Sequence, residues 1–129
     1  MIIDQKLYDE LTAQAKASPR LRMAFDLRNN PEEDSQRMLN AIEPGTEIPI
    51  HRHWNSNETV LCVRGHFHEL LYDKDGNLEQ VIDMLPGGNI VNVPAGQWHN
   101  LKSLESGTIL AEAKHGKYEP LKPENILEK

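Results

Sequence analysis

Hydrophobic positions recur with two different periods along this chain, and the change of period divides it. Over residues 4–17, Leu7, Leu11 and Ala15 return every fourth residue with Tyr8 beside Leu7, which is the spacing of one helical face. Asp4 is placed to cap that helix, and Ser18-Pro19 stops it, because the residue before a proline avoids the helical region. Beyond this point short alternating or apolar runs predict strands at Leu21–Leu27, Arg37–Ile42, Thr59–Val63, Phe67–Tyr72, Gln80–Met84, Asn89–Val93, Leu101–Leu104 and Thr108–Ala113. Turn signals separate them: Asn29-Asn30-Pro31, Glu43-Pro44-Gly45, the Asp73–Asn77 run, Leu85-Pro86-Gly87-Gly88 and Pro94-Ala95-Gly96. The segment Glu32–Leu39 reads as strand but also fits a helix. Many short strands punctuated by Gly and Pro indicate an all-β sandwich or barrel. The expected organisation is a helix and turn over residues 1–20 packed on a barrel at 21–120, followed by a polar tail, 121–129, that packs loosely or frays.

Composition narrows the function. The chain has 129 residues, enough for one domain with a closed core. Fourteen Lys and Arg against twenty Asp and Glu give a net charge of −6, and no basic stripe is present to meet phosphates, so a nucleic-acid partner is excluded. The longest apolar runs, such as Val60–Val63, are far too short for a membrane-spanning helix. No charged-then-apolar leader opens the sequence, and a single cysteine, Cys62, precludes an internal disulfide. Both features lead to the expectation of a cytoplasmic protein. With 38% apolar and 5% aromatic residues the core is expected to be modest, and a homodimer is expected to cover open sheet edges.

The candidate chemistry lies in histidines. On a strand, residues two apart share a face, so His51 and His53 can present their imidazoles side by side. A bend at Trp54–Asn57 lets the next strand bring Glu58 beside them, and Gly65 closes that strand in a tight turn. Further on, Gly88–Val93 reads as a strand, Pro94-Ala95-Gly96 as a turn, and His99 starts the strand that follows. Neighbouring strands of a closed barrel can aim His51, His53, Glu58 and His99 at one interior point, a donor set suited to a first-row divalent metal.

These residues carry a resemblance. Gly45-x5-His51-x-His53-x4-Glu58-x6-Gly65 matches the first motif of the cupin superfamily at every defining position, and Gly88-x5-Pro94-x-Gly96-x2-His99 matches the second through its histidine. The family pattern ends in Asn four residues later, where this chain has Ser103. The N-terminal helix, Arg22-Met23, the Gln36–Asn40 run into Glu43-Pro44-Gly45, and the closing Glu112–Tyr118 segment resemble the WbuC family of small cupin metalloproteins. That resemblance implies a small jelly-roll barrel with one divalent transition metal (Fe, Mn, Zn, Ni or Co) and a small-molecule ligand. The WbuC association with surface-polysaccharide gene clusters implies a sugar or nucleotide-sugar derivative.

Three imidazoles and one carboxylate leave about two positions of an octahedral ion open. An open position suits isomerisation or epimerisation, or an Fe(II)-type oxygenation, while a metal- or ligand-binding module without catalysis uses the same residues. Arg37, Asn40, Glu112, Lys114 and Tyr118 are the acid–base or substrate-orienting candidates, as polar residues on strands expected to line the barrel. Asn40 shares an apparent inward face with Met38 and Ile42, and Glu112 interrupts a small, apolar final strand. Other features read as structural. His66 and His68 form a second His-x-His with no third ligand at suitable spacing, a solvated strand face. His115 reads as a surface residue and Cys62 as a buried apolar one. Trp54 and Trp98 point away from the metal by alternation. Asp73-x-Asp75-Gly76-Asn77 lacks the Gly and Glu of a calcium loop at its sixth and twelfth positions and reads as a hairpin turn.

Overall fold

Helix α1 covers Gln5–Ala17, and the Asp4 carboxylate accepts from the Leu7 amide at 3.1 Å as its N-cap. The computed structural model describes residues 1–127. Ten strands follow among them: β1 (Arg22–Asp26), β2 (Ser35–Ile42), β3 (Ile50–His51), β4 (Glu58–Arg64), β5 (Phe67–Tyr72), β6 (Leu78–Met84), β7 (Ile90–Val93), β8 (Trp98–Ser103), β9 (Thr108–His115) and β10 (Ile126–Leu127). They build two five-stranded antiparallel sheets, ordered β1-β2-β9-β4-β7 and β10-β3-β8-β5-β6. Alternation gives each sheet one apolar inner face, and Ile42, Val60, Cys62, Phe67, Met84, Val93 and Leu110 meet between them. A second cluster forms on the outer face of the first sheet, where Leu11 and Ala15 of α1 pack with Leu39, Ala41 and Ile109.

The segment with two readings, Glu32–Leu39, becomes strand from Ser35, because β2 finds hydrogen-bonding neighbours on both sides, β1 and β9. Strand β8 begins at Trp98, three residues ahead of its expected start. Its polar opening, Trp98-His99-Asn100, hides the pattern, yet His99 is the register partner of His51 on β3. The tail expected to fray does not do so over its described part. One 3-10 turn, Pro123–Asn125, leads into β10, which pairs with β3 through Ile126↔His51 and Leu127↔Ile50. Arg52 fastens the same segment through its amide to the Asn125 carbonyl at 3.0 Å and its Nε to Asn125 Oδ1 at 3.2 Å. The physical reason is the free edge of β3, whose backbone groups would otherwise lack partners. The last two tail residues, 128 and 129, lie outside the described residues.

Two local features hold the barrel in register. Gly65 turns the chain from β4 into β5 at φ +86°, and a Cβ there would stand 2.7 Å from the Thr108 Cα. Ser103, which stands in place of the motif's Asn, donates its hydroxyl to the Ile42 carbonyl at 2.9 Å and so ties β8 of one sheet to β2 of the other. The Asp73–Asn77 run is the β5–β6 turn, with Asp73 Oδ1 accepting from the Asp75 and Asn77 amides at 2.9 Å each. Cys62 is buried in the core with a free thiol. No helix among the described residues is long and apolar enough to cross a membrane.

Candidate metal centre

Backbone register brings the histidines together. His51 and His99 face each other across β3 and β8 with ring centroids 4.3 Å apart. His53 lies just past the end of β3, its ring 5.2 Å from that of His51 and 5.6 Å from that of His99. One ring nitrogen of each lies within 4.8 Å of the other two. Glu58 opens β4 in the opposite sheet and reaches across, its Oε2 2.9 Å from His53 Nε2 and 3.6 Å from His99 Nε2. All four residues read from the motif spacing therefore converge.

Hydrogen bonds set which nitrogen each ring offers. A carbonyl only accepts, so the 2.8 Å contact of His51 Nδ1 with Pro49 O and the 2.9 Å contact of His99 Nδ1 with Gln97 O place a proton on each Nδ1. Burial, with His99 alongside, lowers His51 to about 4, so this imidazole is neutral near pH 7 and its Nε2 carries a bare lone pair. The Nε2 of His99, only 2% exposed, has no hydrogen-bond partner although the Glu58 carboxylate lies close by. A buried acceptor facing a carboxylate without a proton or cation between them is costly. Imidazoles fixed by backbone carbonyls on the far nitrogen are what a metal requires of its ligands, so the donors present fit a divalent ion. Burial works against charge on Glu58, but a hydrogen bond with His53, with His99 and Glu112 also adjoining, holds its carboxyl well below the usual range.

The four ligand candidates line a cavity of about 530 Å³ between the sheets, together with Asn40, Glu69, Glu112, Lys114 and Tyr118. Asn40 on β2 donates to Glu112 Oε1 on β9 at 3.0 Å, which explains an amide on an inward face. Burial first, and then Glu58, pushes Glu112 up to about 8, so it holds a proton near pH 7 beside the ionised Glu58. Lys114 sits two residues along the same face with Nζ 3.4 Å from His53 Nδ1. Tyr118 stands exposed at the rim, where the segment from β9 towards β10 adds Glu119 and Leu121 to the wall. Arg37 is the correction: alternation along β2 turns it away from the cavity to the exposed face, where it pairs with Glu33.

Sequence reading missed Glu69. It is 1% exposed, its Oε2 has no hydrogen-bond partner, and burial with Glu58 and Glu112 nearby pushes it well above the carboxylate range. The signal was in the alternation, since Glu69 shares the inward face of Phe67 and Leu71 on β5. The pair His66 and His68 also has a third neighbour after all. Asp83 is the cross-strand partner of His68 on β6, and it contacts both rings. Trp98 points away from the centre, as alternation requires, and the Arg52 guanidinium lies between it and Trp54, 4.4 Å from each ring. His115 is exposed.

Two facing antiparallel sheets with a helix on one side, enclosing three histidines and a glutamate, form a cupin jelly roll. The solved structures this chain is similar to have that fold. KdgF from Halomonas sp. is 17% identical with a TM-score of 0.63 over 78% of this chain and 84% of that one. CapF, a capsular polysaccharide assembling protein from Staphylococcus aureus, is 20% identical with a TM-score of 0.64 over 80% of this chain, which spans only 30% of CapF. Oxalate decarboxylase from Bacillus subtilis, described with Mn(II) centres, is 19% identical with a TM-score of 0.59, covering 77% of this chain and 26% of the enzyme. Residues 3–84 match the family model DUF6016, a domain of unknown function, and the chain belongs to that family. No curated protein matches it.

Proposed function

We propose that this protein is a mononuclear metal-dependent cupin acting on a small polar metabolite, with His51, His53, Glu58 and His99 holding one divalent transition metal. The observation that carries this reading is the buried, unpartnered Nε2 of His99, fixed by its Nδ1 bond and aimed beside the Glu58 carboxylate. When bound, the metal supplies a Lewis acid with about two open positions for a ligand. The protein's own groups then divide the remaining work. Glu112 holds a proton at the cavity wall, and the Asn40 amide fixes that carboxyl in place. Lys114 sets a positive charge beside His53, suited to an oxyanion or hydroxyl of the ligand. Glu69, pushed above the usual carboxylate range by burial, adds a second carboxyl facing a hydroxyl-rich molecule, and Tyr118 stands at the rim where a ligand would enter. The polar lining suits a sugar or nucleotide-sugar derivative, and isomerisation or epimerisation fits a pocket in which the Glu112 carboxyl can hold a proton near residues that would bind a Lewis acid. Fe(II)-type oxygenation uses the same ligands. The structural likeness to CapF and the resemblance to the WbuC family support the polysaccharide setting. We further assign a cytoplasmic homodimer, supported by the single free cysteine and by exposed Val81, Leu85 and Ile90 on or beside edge strands.

Metal content by mass spectrometry tests the proposal, on untagged protein and on His51→Ala and His99→Ala. Near-stoichiometric metal in the parent and its loss from both folded variants is the expected result. No metal in the parent and no uptake on reconstitution would overturn it. Consumption of a sugar ligand that disappears in His51→Ala marks an enzyme, whereas a ligand-induced thermal shift without consumption marks a binding module.

A further inference from the structure

The outer face of the second sheet carries a second convergence of donors, unconnected with the cavity. His68 and Asp83 are register partners on β5 and β6, and His66 lies two residues before His68 on the same side. Alternation sends Phe67 and Glu69 inward, so these three side chains point to solvent on the far side of the sheet from His99. We propose that His66, His68 and Asp83 form a second metal site, one that takes a borderline divalent cation such as Zn(II).

Three observations carry this beyond an ordinary surface ion pair. One donor atom from each residue falls within 4.8 Å of the other two, the same criterion met by His51, His53 and His99. Donors held about 2.0–2.1 Å from a tetrahedral zinc stand about 3.4 Å apart; His68 Nε2 is 3.2 Å from Asp83 Oδ1, while His66 Nε2 is in closer hydrogen-bond contact with the same oxygen and would separate from it as the ion enters. The rings are 5.7 Å apart at 86°, edge against face, so both Nε2 atoms meet the same carboxylate oxygen from different directions. The backbone beneath is also fixed. The His66 amide donates to Thr108 Oγ1 at 3.1 Å and its carbonyl accepts from the Leu104 amide at 3.0 Å. The Asp83 carbonyl accepts from Asn89 Nδ2 at 2.9 Å. These anchors leave little chain entropy to lose on chelation, and both imidazoles are about one-third exposed, open to a cation from solvent. Lys102, the neighbour of His68 on β8, is exposed and free to turn its ammonium into solvent.

Competition titration of Zn(II) against a chromophoric chelator tests the site on untagged, metal-stripped protein. Wild type is expected to take two equivalents, the His51→Ala/His99→Ala double variant one, and His68→Ala one. In the double-variant background, His68→Ala or Asp83→Asn should weaken the remaining equivalent at least tenfold. If the double variant does not fold, the drop from two to one in His68→Ala alone carries the same information, because partly buried His68 and exposed Asp83 lie outside both hydrophobic clusters. A wild-type stoichiometry unchanged by both His68→Ala and Asp83→Asn would overturn the proposal. Failure of the cavity site would read differently, as one equivalent in wild type that is untouched by His51→Ala/His99→Ala and abolished by His68→Ala.

Discussion

Replacing Gly65 by alanine should be far more damaging than replacing Gly87, although the backbone asks the same of both. Their φ angles are +86° and +73°, and holding an L-residue in the left-handed region costs about 1 kcal/mol at either site. At Gly87 the new methyl meets nothing within 4 Å. Reduced freedom of the unfolded chain offsets part of the backbone cost, so Gly87→Ala should lose less than about 1 kcal/mol. At Gly65 the methyl would lie 2.7 Å from the Thr108 Cα and 2.9 Å from its Cβ. The Thr108 hydroxyl lies closer still and could turn aside, but the Cα behind it is backbone at the start of β9 and cannot rotate away. Overpacking of that kind adds about 1–3 kcal/mol, for a total near 2–4 kcal/mol. Urea unfolding of the two variants measures the difference directly, and the thermal midpoints should separate by roughly 5–10 °C in a domain of this size. Thr108→Ala should not rescue Gly65→Ala, since it leaves the Cα in place. Equal losses in the two glycine variants, or full rescue by Thr108→Ala, would refute the steric argument.

Three other outcomes follow from the charged interior and its surroundings. Glu112 carries a proton in the folded protein up to about pH 8 but releases it near 4.5 when unfolded, so its contribution to metal-free stability is lost as pH rises between those values. Glu112→Gln should remove that decline, and urea midpoints of chelator-treated protein at pH 5 and pH 8 check it. His51 has the opposite sign: its folded pKa is depressed to about 4 from 6.5, so acidification through that window favours the unfolded chain by up to about 3 kcal/mol. His51→Gln should flatten this acid branch, and an unchanged slope would contradict the burial argument. Arg52→Ala removes the cation between Trp54 and Trp98 together with the bonds to Asn125, at a cost of about 1–2 kcal/mol, with a red shift of tryptophan emission as the readout.

Much of this architecture is legible in residue order because alternation and turn chemistry act locally. The Leu7–Leu11–Ala15 stripe and the Asp4 cap appear where the spacing puts them, and the hairpin at Asp73–Asn77 forms from its own side-chain acceptors. The convergence of His51, His53, Glu58 and His99 was readable for a different reason, since motif spacing encodes a barrel closure that no local pattern contains. What escaped depended on pairing between distant segments. Ile126-Leu127 has no strand signal of its own and becomes β10 because β3 offers an edge. Asp83 joins His66 and His68 only through the β5–β6 register. Arg37 was placed on the wrong face because Asn40 and Arg37 are an odd number of residues apart on one strand, so only one of them can face inward.

The two-residue strand β3 has a consequence for how the protein matures. It makes almost no local contacts and is held by β8 on one side and β10 on the other, both remote in sequence. Loop-closure entropy delays pairings of this kind until the rest of the sheets exist. The cavity histidines are therefore assembled at the end of folding rather than serving as its nucleus. A cation captured there would act as a latch on a finished barrel, slowing its opening while leaving the rate of folding almost untouched.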